Sequence, residues 1–330
     1  MGLKRVVKRS NEPDVITIGQ AFDEYIIEKE AKNLSASSLQ NYRMTYTQFI
    51  NFHEMTDDTP ITTISTTHIY KWMNTLRLQA VAPASINHYL RDLRAFLYWC
   101  MDDTRQYITK KFKVEMVKGQ EEPLKTFTDD ELDKLLEKPK RSALFTEWRT
   151  YTIINWILAT GNRARTICNV KIGDVDFINR KIILRETKAK KAQQIPLSNS
   201  LSITLKEYLK LWRNGCGDDA LLFPNVGEQL LTTRGLGEAF EKYCEKREVA
   251  KLKGRNCHGL RHTFAKKWVQ ENGNLFVLQQ IMGHSTLEMT RKYVRLFTEE
   301  LKQDYDKFNP LDNIKSSSKR TKVVKRNTEE

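Results

Sequence analysis

The sequence predicts a mainly α-helical protein with a small β-sheet, folded as two domains. A length of 330 residues is enough for two domains that each bury a core. In the first third of the chain apolar residues recur at helical spacing, whereas in the second half short β-type runs separate the helical segments. The first domain is therefore predicted to be all-α and the second to be α+β.

Helical periodicity organises residues 15–104, the predicted first domain. Thr17 has the character of an N-cap, and Ile18, Phe22 and Tyr25 follow it on one helical face. Further helices are predicted over residues 35–52, 67–78 and 83–99.

The periodicity fades over residues 105–125, which are rich in lysine and contain Gly119 and Pro123. This composition is typical of a linker between domains. The two ends of the chain, residues 1–14 and 311–330, are basic and polar, and each is predicted to be a flexible or disordered tail.

The second domain is predicted over residues 126–310. Thr128 and Glu131 form a capping box that begins its first helix. Residues 147–159 are apolar on nearly all sides, which indicates a buried helix, and residues 175–197 contain the β-type runs. Helices then follow over residues 199–212, 233–248, 258–271, 275–282, 286–294 and 298–308.

The formal charge of +14 favours a polyanionic partner, because Lys and Arg displace the counterions condensed on nucleic-acid phosphates. Five cysteines without CxxC spacing argue against a disulfide framework and against a structural zinc site. Neither a signal peptide nor an apolar run long enough to span a bilayer is recognisable. We therefore expect a soluble cytoplasmic protein that needs no cofactor or metal and has no membrane partner.

Basic residues stand at three places in the second domain that are unusual for a purely structural domain. Arg163 follows the end of the buried helix. It is either part of a solvated helix terminus or an arginine directed into a site. Lys188 lies at a basic hairpin tip, which is either a solvated turn or a ribbon that enters a DNA groove. His258 and Arg261 share one helical face, whereas His262 is predicted to lie off that face.

A turn between two helices carries the fourth unusual segment. Gly283 is a predicted helix C′ residue, and Ser285 with Glu288 is a predicted capping box for the next helix. His284 is therefore expected in the turn and Tyr293 two turns into that helix. A single tyrosine in such a position is ordinarily part of amphipathic packing.

In combination, these segments resemble the tyrosine recombinase (phage integrase) family. The order and spacing of six residues carry the resemblance: Arg163, Lys188, His258, Arg261, His284 and Tyr293. The resemblance covers roughly residues 15–310. It implies a SAM-like core-binding domain followed by a DNA breaking-rejoining catalytic domain, and a simple type of enzyme without an N-terminal arm-binding domain.

The resemblance implies covalent catalysis at a DNA phosphate. Tyr293 would attack the phosphodiester and form a 3′-phosphotyrosine bond, which a new 5′-hydroxyl can reseal without ATP. A phenol is mostly protonated at neutral pH, so His258 is expected to receive its proton. Lys188 is expected to protonate the leaving 5′ oxygen.

Charge that develops on the non-bridging oxygens needs donors that stay positive, and guanidinium groups meet this requirement. Arg163 and Arg261 are assigned to this role, with His284 adding a hydrogen bond. Arg165 is a nearby competitor, but the Thr-Gly-x-Arg register favours Arg163.

Three positions depart from the family pattern. Thr166 stands where the family usually has an acidic residue that helps to hold the active-site side chains. Asn162 replaces a usual apolar residue, and Gln193 replaces a usual arginine of the hairpin.

The implied partner is double-stranded DNA, bound by a homotetramer on two recombination sites, with an accessory DNA-bending protein as a further partner in some systems. In the cell the protein would then be associated with the nucleoid. The segment 298–308 would dock either on a neighbouring protomer or on its own domain. In the first domain, the candidates for DNA contact are polar residues of the second and fourth helices, each of which can instead be part of a solvated helix face: Arg43, Asn87, His88, Arg91 and Arg94.

Two alternatives to a recombinase remain at this point. A type IB topoisomerase would share the chemistry but relax supercoils without a site preference. A catalytically decayed DNA-binding protein would keep only the affinity for DNA, and Thr166 is the residue that favours it.

Overall fold

The structure is a computed structural model that describes residues 15–119, 124–185, 192–250 and 256–296, without the side chains of residues 294–296. The chain divides into two compact units, Met1–Glu121 and Glu122–Glu330. They are called the helical unit and the catalytic unit below.

The helical unit has the four helices that the sequence predicts. Their bounds are α1 (Ile18–Ala31), α2 (Ala36–Phe52), α3 (Thr66–Leu78) and α4 (Pro83–Cys100). The hydroxyl of Thr17 accepts a hydrogen bond from the backbone of Gln20, and the Gln20 side chain bonds back to Thr17, so a full capping box begins α1. Aromatic rings fill the centre, where Phe22 packs edge-on against Phe96 with a centroid distance of 5.2 Å.

Part of the predicted linker packs on the helical unit. Ile108, Val114 and Val117 are buried in the core of this unit. The Asn87 amide holds the Val117 backbone at both polar atoms, with its nitrogen 2.9 Å from the carbonyl oxygen and its oxygen 2.8 Å from the amide nitrogen. Residues 105–117 therefore extend this unit, and the linker prediction is wrong for them because irregular backbone can bury apolar side chains without helical periodicity.

The catalytic unit combines eight helices and a three-stranded antiparallel sheet among its described residues. The helices are α5 (Asp129–Leu136), α6 (Phe145–Thr160), α7 (Ala164–Cys168), α8 (Asn199–Trp212), α9 (Thr233–Lys246), α10 (Cys257–Gln270), α11 (Leu275–Met282) and α12 (Leu287–Leu296). The strands are β1 (Val175–Asp176), β2 (Lys181–Leu184) and β3 (Gln193–Pro196), in the order β1-β2-β3. Ile182 pairs with both Val175 and Ile195, which fixes the register.

Helix α6 forms the centre of the catalytic unit. Trp148, Ile154, Trp156 and Ile157 are fully buried on different sides of it. The helix contacts α5, α8, α9 and α10, so nearly every side meets another element. A helix that is apolar all round is a core helix, and the structure confirms the prediction of a buried helix here.

The other elements agree with the sequence to within a few residues, with one local exception. The exception is the start of α12, which begins at Leu287, two residues after the predicted cap Ser285, whose hydroxyl contacts the Met289 sulfur at 3.7 Å. Some predicted regions lie outside the described residues: the hairpin tip 187–191, the segment 298–308 and both tails. The strands β2 and β3 on either side of the hairpin tip are described. None of the helices that the structure describes is long and apolar enough to cross a membrane.

Candidate active site

The end of α6 positions Arg163. The chain leaves the helix at Gly161, which has a φ of +62°, and a Cβ at this position would lie 2.4 Å from a phenylalanine ring of α10. Glycine is therefore required both by the backbone and by the close approach of α10. Asn162 is buried, and its Oδ1 accepts a hydrogen bond from Trp156 Nε1 at 3.0 Å, which satisfies this polar departure from the family pattern. Arg163 Nη1 then reaches the Gly283 carbonyl oxygen at 3.3 Å.

Helix α10 carries Arg261 into the interior of the unit. This arginine is only 2% exposed. Its Nη1 donates to the Gly161 carbonyl, and its Nη2 lies 3.1 Å from the Met282 carbonyl oxygen and 2.7 Å from His284 Nε2. Burial, and then the positive charge of Arg163, lower the pKa of Arg261 to about 10, so the guanidinium remains charged at neutral pH.

The turn after α11 holds His284 between Arg261 and α12. Gly283 has a φ of +62°, as predicted for a helix C′ residue. His284 Nδ1 lies 2.8 Å from the buried Thr290 hydroxyl, and its Nε2 faces the Arg261 guanidinium. Since a guanidinium only donates, Nε2 is the acceptor and Nδ1 carries the proton. Burial, with the charge of Arg261 and Arg163, lowers the pKa of His284 to about 4, so the ring is neutral and orients Arg261 rather than offering Nε2 as a donor.

Tyr293 lies beside this network and is 4% exposed. Its hydroxyl is 3.0 Å from His262 Nδ1, and its ring is parallel to that of His284, with centroids 6.2 Å apart. Burial raises the pKa of the phenol, whereas the charge of Arg261 and a hydrogen bond from it act in the opposite direction. The phenol is therefore protonated at neutral pH and needs an acceptor before it can attack.

The histidine in contact with the phenol is His262, which the sequence placed off the functional face. His258 lies one turn earlier on α10 and is solvent-exposed, and its ring centroid is 4.5 Å from that of His262. Residues four apart share a helical face as residues three apart do, so the spacing from His258 contained the signal that was missed. Burial, followed by the positive surroundings, lowers the pKa of His262 to about 4, which keeps this ring neutral.

Five of the six predicted catalytic residues are described, and they gather at one place. Arg163 and Arg261 converge on the turn after α11, which carries His284, while Tyr293 approaches from α12 and His258 stands at the solvent side. The sixth, Lys188, lies outside the described residues, although β2 and β3 on either side of its hairpin are described. A cavity of about 390 Å³ opens beside Arg163 and His284.

The predicted DNA contacts of the helical unit have unequal surroundings. Arg43 is paired with Glu30 at 3.0 Å, and His88 lies 3.6 Å from Asp92. Arg94 lies over the Tyr98 ring at 6.0 Å. Arg91 is exposed, whereas the Asn87 amide is already bonded to the backbone of its own unit.

The described chain is thus a helical unit followed by an α+β unit, in which a buried tyrosine lies among arginines and histidines. Two family models match the chain. The phage integrase family matches residues 125–300, and the phage integrase N-terminal SAM-like domain matches residues 20–104. The chain belongs to the phage integrase family, and the family, fold class and type of enzyme expected from the sequence are confirmed.

Individual relatives span nearly the whole of this architecture. The chain is 26% identical over 289 residues to tyrosine recombinase XerC of Thermodesulfovibrio yellowstonii, a match that covers 86% of this chain and 93% of the relative. It is 25% identical to XerD of Listeria monocytogenes, over 84% of this chain and 94% of the relative.

Solved structures share the fold. The Tn1549 transposon integrase in complex with transposon right end DNA has a TM-score of 0.70 at 21% identity, over 86% of this chain and 99% of that one. XerH recombinase bound to palindromic difH substrate has a TM-score of 0.67 at 20% identity, over 87% and 84% of the two chains.

Proposed function

We propose that the chain is a site-specific DNA recombinase in which Tyr293 is the nucleophile and the broken bond is conserved as a 3′-phosphotyrosine. The observation that carries this proposal is the position of the Tyr293 hydroxyl, which is buried 3.0 Å from a neutral imidazole and next to the charged Arg261. A tyrosine used only for packing does not require two charged guanidinium groups beside it. The names of the relatives, tyrosine recombinases and integrases, agree with this reading.

In the cleavage step, the phenol oxygen forms a bond to phosphorus while the bond from phosphorus to the 5′ oxygen breaks. Arg163 and Arg261 bind the non-bridging oxygens, where negative charge develops. The phenol proton passes to an imidazole, and Lys188 gives a proton to the departing 5′ oxygen. In the rejoining step, a 5′-hydroxyl of the new partner strand gives its proton to Lys188 and attacks phosphorus, while the bond from phosphorus to the tyrosine breaks and the phenol oxygen regains its proton from the imidazole.

His262 is the imidazole that we assign as the proton acceptor, in place of the His258 that the sequence suggested. The phenol oxygen lies 3.0 Å from His262 Nδ1, so the phenol proton has a direct path to this imidazole. Because burial lowers the pKa of His262 to about 4, its Nδ1 lone pair is available at neutral pH. His258 is then free to bind the phosphate from the solvent side.

The covalent bond is tested with nicked duplexes of randomised sequence. The protein is incubated with this library in EDTA, denatured in SDS, and the DNA that remains attached is sequenced. The native chain is expected to retain a defined set of sequences, here called the recovered duplex, and Tyr293→Phe is expected to retain none. An adduct that persists in the variant would assign the nucleophile to another residue, and clear DNA binding without any adduct would favour the catalytically decayed protein.

The outcome of catalysis separates a recombinase from a type IB topoisomerase. The site preference of a recombinase predicts strand exchange between two plasmid copies of the recovered duplex. A chain that relaxes any supercoiled plasmid and never exchanges two copies of that site would be a topoisomerase instead.

We also propose that a tetramer is the active assembly and that the segment 298–308 joins its protomers. An apolar groove of about 730 Å³ on the catalytic unit is the candidate acceptor, and apolar residues of α5, α6 and α10 line it: Leu132, Leu136, Leu158, Phe264 and Trp268. The segment places Leu301, Tyr305 and Phe308 at helical spacing, which suits such a groove.

Mass measurement on pairs of the recovered duplex tests the assembly. The native chain is expected to give four protomers on two duplexes, and Leu136→Glu at the rim of the groove is expected to stop at separate single-duplex complexes. Ile178→Glu is the matched control, since Ile178 is 93% exposed and lies outside the groove. Strict monomers or dimers of the native chain on paired duplexes would defeat the tetramer.

In the helical unit, Arg91 and Arg94 are the proposed phosphate contacts, while Asn87 is assigned to holding Val117. Arg91→Ala is expected to lower the slope of log affinity against log salt by about 1, as for one lost phosphate contact. An unchanged slope would show that Arg91 belongs to a solvated face.

A further inference from the structure

The carboxyl end of α11 and the turn after it are satisfied by side chains from other parts of the catalytic unit and by Gln279 of α11 itself. Its last carbonyl groups cannot bond within the helix, and they form the negative end of the helix dipole. The donors are side chains that the proposed mechanism uses or that adjoin it: Gln193 Nε2 to Gln280 and Ile281, Arg261 Nη2 to Met282, Arg163 Nη1 to Gly283, and Gln279 Nε2 to His284.

This arrangement holds two cations without neutralising them. Carbonyl oxygens are dipoles, so Arg163 and Arg261 keep their full charge for a phosphate. Within the described ranges, neither arginine forms an ion pair with a carboxylate. The turn from Met282 to His284 therefore holds both guanidinium groups, and the Gly161 carbonyl holds Arg261 at its other nitrogen.

Gln193 contacts this turn from outside the helix. It is the first residue of β3, where it pairs with Leu184 at the base of the hairpin whose far part includes Lys188. Its Nε2 donates to Gln280 and lies 3.1 Å from the Ile281 carbonyl oxygen. Its Oε1 faces Gly283 so closely that a Cβ there would lie 2.8 Å away.

We propose that Gln193 is a positioning residue that fixes the turn after α11, and through it Arg163, Arg261 and His284. This role rests on the recombinase function proposed above. Thr166 lines the same cavity as Gln193 and presents no carboxylate to the arginines. The amide of Gln193, bonded to the backbone that carries their acceptors, supplies support that does not cost the site any positive charge.

The test is the single-turnover rate of adduct formation on the recovered duplex, measured for matched variants of β3. Gln193→Ala removes the amide, Gln193→Arg keeps hydrogen-bond donors at this position, and Gln194→Ala is the control, because Gln194 is exposed on the same strand. Each variant is assayed with a phosphodiester and with a methylphosphonate at the cleaved position. A methylphosphonate places developing charge on one oxygen instead of two, so it depends less on how the guanidinium groups are aimed.

We expect Gln193→Ala to be slower by about 100-fold on the phosphodiester, the size of effect that a misplacement of about 1 Å can produce. The defect is expected to be much smaller on the methylphosphonate, Gln193→Arg to recover most of the rate, and Gln194→Ala to match the native chain. Equal losses on both substrates would indicate a general structural defect and overturn the positioning role. So would a native rate in Gln193→Ala. An absence of adduct from the native chain would instead reject the recombinase function itself, and with it this role.

Discussion

Three arginines of the described catalytic unit are almost completely buried, and two of them, Arg213 and Arg261, differ in the partners of their charges. Arg213 is 4% exposed, and its Nη1 contacts both carboxylate oxygens of Glu228 at 2.7 Å. Arg261 is 2% exposed, and its partners are the carbonyl groups of Gly161 and Met282 and a neutral His284. One charge is cancelled by a carboxylate, and the other is only solvated by dipoles.

The difference shows which of the two charges remains available to an anion. Burial among dipoles alone does not identify a cation as functional, because Arg149 is 4% exposed and its Nη1 donates to the Pro224 carbonyl. Removing a charge from water is expensive, and a partner of opposite charge is the usual compensation. A cation that is buried among dipoles alone retains an attraction for an anion that arrives later. In the helical unit, the only buried polar residue among those described is Thr45, so this unit meets its stability needs without any such cation.

Exchanging Arg261 and Arg213 for methionine should separate their roles most strongly. Arg261→Met is expected to slow cleavage of the recovered duplex by about 10²–10³-fold, as the loss of one preorganised donor does. Removing a buried charge without a counter-charge is offset by the loss of the donor to the Gly161 and Met282 carbonyl groups and to His284, so the free energy of unfolding is expected to change by no more than about 1 kcal/mol. Urea unfolding and single-turnover cleavage measure the two effects.

Arg213→Met should give the opposite pair of results. We expect the free energy of unfolding to fall by about 1–3 kcal/mol, since the Leu221 carbonyl loses its buried donor. The exposed Glu228 side chain returns to water, so the loss stays below that of a fully buried pair. At a temperature where Arg213→Met is folded, we expect it to cleave the recovered duplex at the native rate. If Arg261→Met unfolded the protein and Arg213→Met stopped cleavage, the distinction between the two arginines would be wrong.

The next largest effect separates the two histidines of α10. His262→Gln is expected to slow cleavage by about 100-fold, the lower end of the contribution of a general base. Without an acceptor the reaction depends on the small phenolate fraction, so its rate should rise about tenfold for each pH unit between pH 6 and 8, whereas the native rate should change less. His258→Gln is the matched variant, and it should keep the shallow native profile.

A steep profile in His258→Gln together with a shallow one in His262→Gln would return the proton acceptor to His258. The geometry of the phenol in this structure would then differ from that in the DNA complex.

Local sequence signals were sufficient for most of the fold. Capping residues such as Thr17 and Thr128 and the apolar periodicity of the helices predicted their bounds to within a few residues. The burial of Ile108, Val114 and Val117 was missed, because an extended segment that packs on a finished helical core has no period of its own. Helix α12 begins one residue later than a cap at Ser285 implies, because polar residues at several positions of a short turn leave the start of a helix open.

The sequence predicted the site residues that belong to a local motif. It did not predict contacts between residues that are far apart in the chain. His258 and Arg261 were found by their spacing, and the same argument would have found His262. The bond from Gln193 to the end of α11 joins residues 87 and 88 positions apart, and no local pattern indicates it. The neutral, accepting state of His284 also follows only from its contact with Arg261.

The smallest predicted effect concerns stability and pH, and it follows from the same neutral histidines. Burial lowers the pKa of His262 and of His284 to about 4, whereas the unfolded chain keeps values near 6.5. Between these values the unfolded chain binds more protons, so stability that is present above pH 6.5 is lost as the pH falls towards 4. The free energy of unfolding of the catalytic unit should fall by about 2 kcal/mol per histidine between pH 7 and pH 5. In His262→Gln the fall should be smaller by the contribution of one histidine, and an unchanged pH dependence would show that folding does not lower the pKa of His262.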